Sequence, residues 1–177
     1  MTDGHAHSSQ DDASAIERLR EIVDDIRIAM VTTEGGDGAM HSRPMYLQEM
    51  DAGGDLWFAT SADSPLAEQV RDDARVIATF AKPSDHVFAV VRGTASLHAD
   101  RAKVEEFWNP AMKVWFPEGP ADPNITLVRV RGEHGDYWDA PGAPARIVNY
   151  VTALVTGTRA DGGERVHVDL DHGTAAD

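Results

Sequence analysis

MHSRPMYLQ, residues 40–48, alternates as a β-strand does, yet it carries a proline at its centre and an arginine between a serine and that proline. Proline has no N–H to give to a strand ladder and is confined to edges, strand starts and bulges. On an extended chain His41, Arg43, Met45 and Leu47 share one face, and Ser42, Pro44 and Tyr46 share the other. Two readings follow. In one, this is an edge strand with a proline and an exposed arginine. In the other, the interrupted edge turns carbonyl and amide groups near Met45 toward a flat polar ligand, and the rigid fork of Arg43 beside them suits a phosphate.

The flanking sequence is built from similarly short units. Ile16, Leu19, Ile22, Val23 and Ile26 recur at steps of three and four, which predicts an amphipathic helix over 14–28. A β run over 28–33, the turn signal GGDG (35–38) and a strand over 39–49 follow. DAGGD (51–55) reads as a second hairpin turn, and LWFAT (56–60) as an apolar strand. Ser64-Pro65 opens a short helix carrying Leu66, Ala67 and Val70, because serine caps well and proline suits the first helical position. Strands are expected over 75–81, 86–98 and 125–137, with a helix capped by Asp100 and bearing Val104, Phe107 and Trp108. Beyond a linker at 140–145, IVNYVTALVTG (147–157) is read as a helix ended by Gly157, and VHVDL (166–170) as a further short strand within a polar tail. Short strands, tight turns and helices between only some strands imply a mainly β fold: an antiparallel barrel or sandwich with peripheral helices. The expected organisation is a mobile N-terminal tail at 1–13, one domain at 14–157 and a polar C-terminal tail at 158–177.

Bulk properties narrow the function. Thirty acidic against sixteen basic residues give a net charge of −14, so nucleic acid and anionic lipid are discounted as partners. With no cysteine, disulfides, zinc thiolates and thiol nucleophiles are excluded. No apolar run approaches the about 20 residues of a membrane span, and the polar, acidic start is unlike a signal peptide, so a cytoplasmic protein is expected. Nucleotide loops, hydrolase elbows and zincin motifs are absent. His134 in GEHGD (132–136) reads as part of a solvated turn, and His5 and His7 as part of the tail. His41, Asp85 and His86 could join an acid–base set, although nothing in the sequence brings them together.

Two further elements accompany Arg43. Thr60 and Ser61 end one strand just before Ser64 opens a helix, whose free N–H groups and dipole favour an anion. Trp108, Trp115 and Phe116 lie in or beside a proline-rich connection, where they could stack on a flat ring or seal a barrel end or subunit contact.

HSRPM (41–45), DLWFATSADS (55–64) and DDARV (72–76), in this order, resemble the pyridoxamine 5′-phosphate oxidase-like split-barrel flavoproteins. FWNPAMKVWFPEGPADPNITLVRV (107–130) with YWDAPG (137–142) resembles the general-stress-protein branch of that superfamily. The resemblance implies a six-stranded antiparallel split β-barrel, homodimeric, with FMN at the subunit interface and an oxidoreductase function linked to stress. It implies that Arg43 and the hydroxyls of Thr60, Ser61 and Ser64 hold the phosphate side. Pro44, Met45 and Tyr46 would meet the flavin ring, and Trp108, Trp115 and Phe116 would approach from the other subunit. His41 and Tyr46 would lie nearest the ring. Where the family carries a lysine in the phosphate loop, this chain has Pro65 and Leu66. Losing one charge-assisted contact costs about 1.5–3 kcal/mol, so weaker FMN binding, or binding of a different ligand, is expected, with Leu66→Lys expected to restore FMN affinity. Flavin or deazaflavin storage without turnover, and a barrel that has lost its cofactor, are the alternatives.

Overall fold

A computed structural model describes residues 9–139 and 165–170. Its elements are α1 (Ser9–Ile26), β1 (Ile28–Glu34), β2 (Met40–Met50), β3 (Leu56–Ser61), α2 (Pro65–Asp72), β4 (Arg75–Lys82), β5 (Val87–His98), α3 (Arg101–Phe107), a 3₁₀ turn (Pro110–Val114), β6 (Ile125–Asp139) and β7 (Arg165–Asp169). All pairings are antiparallel, in the order β3-β2-β1-β4-β5-β6, and β3 pairs again with β6. That last pairing closes six strands into a barrel. β6 is long enough to serve two partners on one edge: Ile125–Val130 pairs with β3, and His134–Trp138 pairs with β7.

The core follows from strand alternation. Ala29 and Val31 of β1, Ala78 and Phe80 of β4, and Ala89 and Val91 of β5 point inward, and Leu19, Ile22 and Val23 of α1 join them. In β3, Leu56, Trp57 and Phe58 are buried in succession. Leu56 and Phe58 face the main core, while Trp57 enters a second cluster with Val104, Met112, Phe116, Ile125 and Leu127. Both faces of β3 are thus covered, which is why its sequence is a continuous apolar run rather than an alternating one. The two helix caps form as expected: Ser64 Oγ accepts from the Ala67 N–H at 3.1 Å, and Asp100 Oδ1 from the Lys103 N–H at 3.1 Å. Among the described residues no helix is long and apolar enough to cross a membrane.

Several sequence expectations need correction. The first helix begins at Ser9, inside the stretch assigned to the N-terminal tail. Trp108 caps α3 rather than continuing it. VHVDL does add a strand, as expected, pairing with β6. GEHGD is no turn; it lies within β6, flanked by β5 and β7. Its glycines serve close packing instead of chain reversal. A Cβ at Gly132 would stand 2.7 Å from Leu170 Cδ1, and one at Gly135 would stand 2.7 Å from Leu19 Cδ2. The expected linker at 140–145 and helix at 147–157 lie outside the described residues.

The outward face of β6 holds a buried acid. Asp136, 1% exposed, receives Arg92 Nη2 at 2.6 Å, Arg165 Nε at 2.9 Å and His167 at 3.0 Å. Burial would raise its pKa, but the bonds from His167, Arg165 and Arg92 outweigh that and hold it down at about 2. A folded value below the unfolded one adds stability above about pH 4 that is lost as pH falls toward 2. Asp136→Asn is expected to destabilise the fold by about 1.5–3 kcal/mol at neutral pH. The gap to the native protein should close as denaturation is repeated from pH 4 down to 2.

Candidate functional site

β2 and β3 pair only where Leu47–Met50 faces Leu56–Phe58. Beyond that point they separate. Among the described residues, β3 continues as Ala59, Thr60 and Ser61 along β6 alone, and β2 continues as Met40–Tyr46 along β1 alone. A cleft of about 640 Å³ occupies the gap. Pro44, Met45 and Tyr46 form one wall, Thr60, Ser61 and Ser64 another, and the segment from Asn109 to Phe116 a third. The volume suits a small organic ligand.

The β1–β2 register fixes which backbone groups face this gap. The Leu47 N–H donates to the Arg27 carbonyl at 2.7 Å, and Pro44 lies opposite Met30. Hydrogen-bonded pairs alternate along an antiparallel ladder. Leu47, Met45 and Arg43 therefore spend their backbone groups on β1, while Tyr46, Pro44 and Ser42 direct theirs to the open side. Pro44 costs the ladder no bond, because its missing N–H would have pointed into the cleft. The groups available to a ligand are the Pro44 carbonyl and the Tyr46 N–H, which flank Met45 on either side.

On the opposite wall, Thr60 Oγ1 donates to Ser64 Oγ at 3.0 Å, and the Ala67 N–H donates to the same oxygen at 3.1 Å. A hydroxyl has two lone pairs and one proton. Both lone pairs of Ser64 are taken, so its proton is left to donate to an incoming acceptor. The start of α2 adds positive dipole at the same place.

Arg43 does not line the cleft. It lies on the other face of β2 from Pro44 and Tyr46, where Nη1 donates to Thr33 Oγ1 at 2.6 Å and Nη2 to Gln69 Oε1 at 2.7 Å. Thr33, fully buried, donates in turn to Gln69 Oε1 at 2.7 Å. Arg43 thus ties β2 to β1 and α2 through neutral oxygens and makes no ion pair among the described residues. Burial draws its pKa below the ordinary guanidinium value. Gln69 was missed because nothing in sequence joins positions 43 and 69. Another arginine was missed too. Arg71 Nη2 donates to the Ala62 carbonyl at 2.7 Å, beside the loop that carries Ser61 and Ser64, and it has no carboxylate partner among the described residues. A cation is expected immediately after Ser64, whereas α2 returns this one from two turns away.

The aromatics separate. Trp115 is 78% exposed at the cleft, Phe116 is 5% exposed and anchored in the second cluster, and Trp108 packs against that cluster without lining the cleft. Leu66 is 3% exposed in the main core. A lysine there would bury an ammonium among apolar side chains rather than reach a ligand, so Leu66→Lys does not rebuild a phosphate contact. His41 lies away from the cleft, with Nε2 3.6 Å from Asp37. His86 and Asp85 sit in the β4–β5 turn, at the other end of the β1–β4 pairing from His41, so these three do not meet. Among the described residues, Tyr46 is the one side chain lining the cleft that carries a titratable group.

Residues 14–161 match the family described as pyridoxamine 5′-phosphate oxidase like. A general stress family protein of Xanthomonas campestris is 31% identical, with 75% of this chain and 92% of that one aligned at a TM-score of 0.64. The general stress FMN/FAD binding protein of Xanthomonas citri is 30% identical over 72% and 89% of the two chains, with a TM-score of 0.61. General stress protein 26 of Jannaschia sp. CCS1 has the same fold, at 24% identity and a TM-score of 0.74 over 89% and 99% of the two chains. Protein bli-3 of Neurospora crassa is 32% identical over 111 residues, 58% of this chain and 53% of that protein, so the chain spans about half the length of this curated relative.

The two adjacent aromatics should behave oppositely on truncation. Phe116→Ala is expected to cost about 3–5 kcal/mol, and Trp115→Ala markedly less, because its exposed ring leaves no cavity in the core. Urea denaturation of both variants checks the contrast, and comparable losses would contradict the placement of Trp115.

Proposed function

The chain belongs to the pyridoxamine 5′-phosphate oxidase-like family, and on that premise we propose that the cleft between β2 and β3 binds FMN in a homodimer. The observation that carries this reading is the match between the two walls and the two ends of such a ligand. The Pro44 carbonyl and Tyr46 N–H offer the acceptor and donor that a flavin's pyrimidine edge requires. Met112, Phe116 and Trp115 supply apolar and aromatic surface for its ring. The Ser64 proton, the start of α2 and the Arg71 fork suit a phosphate. Arg71 supplies the charge that Pro65 and Leu66 do not, and Arg43 acts by fixing β2 against α2. The protein from Xanthomonas citri, described as FMN/FAD binding, supports flavin as the ligand class.

When bound, a flavin supplies hydride and electron chemistry, and the protein contributes position and environment. Oxidoreductase activity and a link to stress are part of this proposal. The same cleft also favours a second reading, flavin storage without turnover. Among the described residues no Asp, Glu, His, Lys or Arg lines it, which leaves Tyr46 to handle any proton.

The dimer has its own support. Ile28, Met30, Met40, Pro44 and Tyr46 lie on the outward face of β1 and β2, and the four large side chains among them are exposed. With Val114 and Trp115 nearby in the cleft-forming segment, they make the apolar surface a second copy would cover.

Fluorescence titration should show FMN bound by the native protein, and Arg71→Gln should weaken it roughly ten- to a hundredfold. A folded protein that takes up neither FMN nor a deazaflavin would overturn the reading. NADPH added to the yellow complex separates the two versions: bleaching over repeated cycles indicates an oxidoreductase, and persistent colour indicates storage. In sedimentation the native protein should run as a dimer, and Met30→Lys, which sets a charge in the apolar face, should shift it toward monomer. A native monomer would remove the homodimer from the proposal.

A further inference from the structure

We propose that β6 and β7 carry a surface site for a first-row divalent metal of the zinc class, held by His134, His167 and Asp169. The strand register assembles it. His134 lies opposite Asp169 and Asp136 opposite His167, and residues two apart on a strand share a face. Both imidazoles and the Asp169 carboxylate therefore project from one side of a two-stranded ribbon, and the two rings stack with centroids 5.8 Å apart.

The distances fit a small coordination sphere. His134 Nδ1 is 2.8 Å from Asp169 Oδ1, and His167 Nε2 is 3.8 Å from the same oxygen. One ligand atom from each of the three residues lies within 4.8 Å of the others. Bonds of about 2.0–2.1 Å in a tetrahedron require ligand atoms about 3.3 Å apart. The two separations bracket that value, so small rotations of exposed side chains complete the set.

An independent feature sets the chemistry of His167. Its Nδ1 stands 3.0 Å from Oδ1 of Asp136, a carboxylate that is itself buried and gripped by Arg92 and Arg165. Donating to that carboxylate places the ring proton on Nδ1 and leaves the Nε2 lone pair free on the side of Asp169, 3.8 Å away. A metal-ligating histidine nearly always gives its other N–H to a partner of this kind. Three protein ligands leave one position for water. Because the ligands span two strands, the metal also pins β7 to β6.

The test is calorimetric titration of the full chain with Zn²⁺ after chelator treatment, alongside the melting temperature with and without the metal. The expected result is one equivalent per chain at this site and a higher melting temperature, since binding to the folded state alone stabilises it. His134→Gln and His167→Gln should each weaken this binding more than about tenfold, while a variant lacking both His5 and His7 should retain it. Absence of heat at excess Zn²⁺ in the native protein, or unchanged affinity in His134→Gln and His167→Gln, would overturn the proposal. If a variant misfolds, zinc-induced shifts of the His134 and His167 ring resonances in the native protein decide the matter instead: shifts at both support the site, and a lack of shift at either refutes it.

Discussion

Between Met40 and Tyr46, β2 has one neighbouring strand among the described residues, where an interior strand of a barrel has two. β3 leaves it after Phe58 and continues along β6. Leu56–Phe58 pairs with β2 on one edge and β6 on the other, so the barrel closes there, and the gap opens only beyond Phe58, where β2 and β3 splay apart. Proline is tolerated at position 44 because of this gap, and backbone groups beside it are left unspent for the same reason. Fold and cleft thus meet where these two strands part.

Charge is distributed with a similar logic. In a chain of net charge −14, thirteen of the sixteen basic residues are arginines, and their partners are informative. Two carboxylates that are almost fully buried, Asp55 and Asp136, are clamped by Arg129 and by Arg92 with Arg165. Removing acids from water without such partners would be costly. Arg43 and Arg71 differ: carbonyl and hydroxyl oxygens hold them, and no carboxylate neutralises them among the described residues. Their positive potential survives close to the cleft, where an anion would meet it.

Local patterning made much of the architecture legible. The six barrel strands, the Ser64 and Asp100 caps and the hairpin turns were all readable from alternation and turn residues, and the resemblance joined them into a split barrel. Pro44, Met45, Tyr46, Thr60, Ser61, Ser64, Trp115 and Phe116 do line one cleft. What escaped depends on contacts between distant positions. Arg43 was drawn to Thr33 and Gln69, and Leu66 was turned inward by the phase of α2. In GEHGD the glycines make room for Leu19 and Leu170 instead of bending the chain. A glycine needed for close approach looks the same in sequence as one needed for a turn.

β7 occupies the stretch of β6 edge that β3 leaves free, and its Val168, with Leu170 just beyond, reaches the main core. It is therefore a cap as well as a strand. Without it, the far half of β6 would present a row of unsatisfied amides and carbonyls beside an uncovered apolar hollow, a template for strand addition by any neighbouring molecule. Trimming the chain before Arg165 to obtain a neater domain would leave the six-stranded barrel nominally whole while making it prone to self-association, so the tail's contribution would show first as solubility.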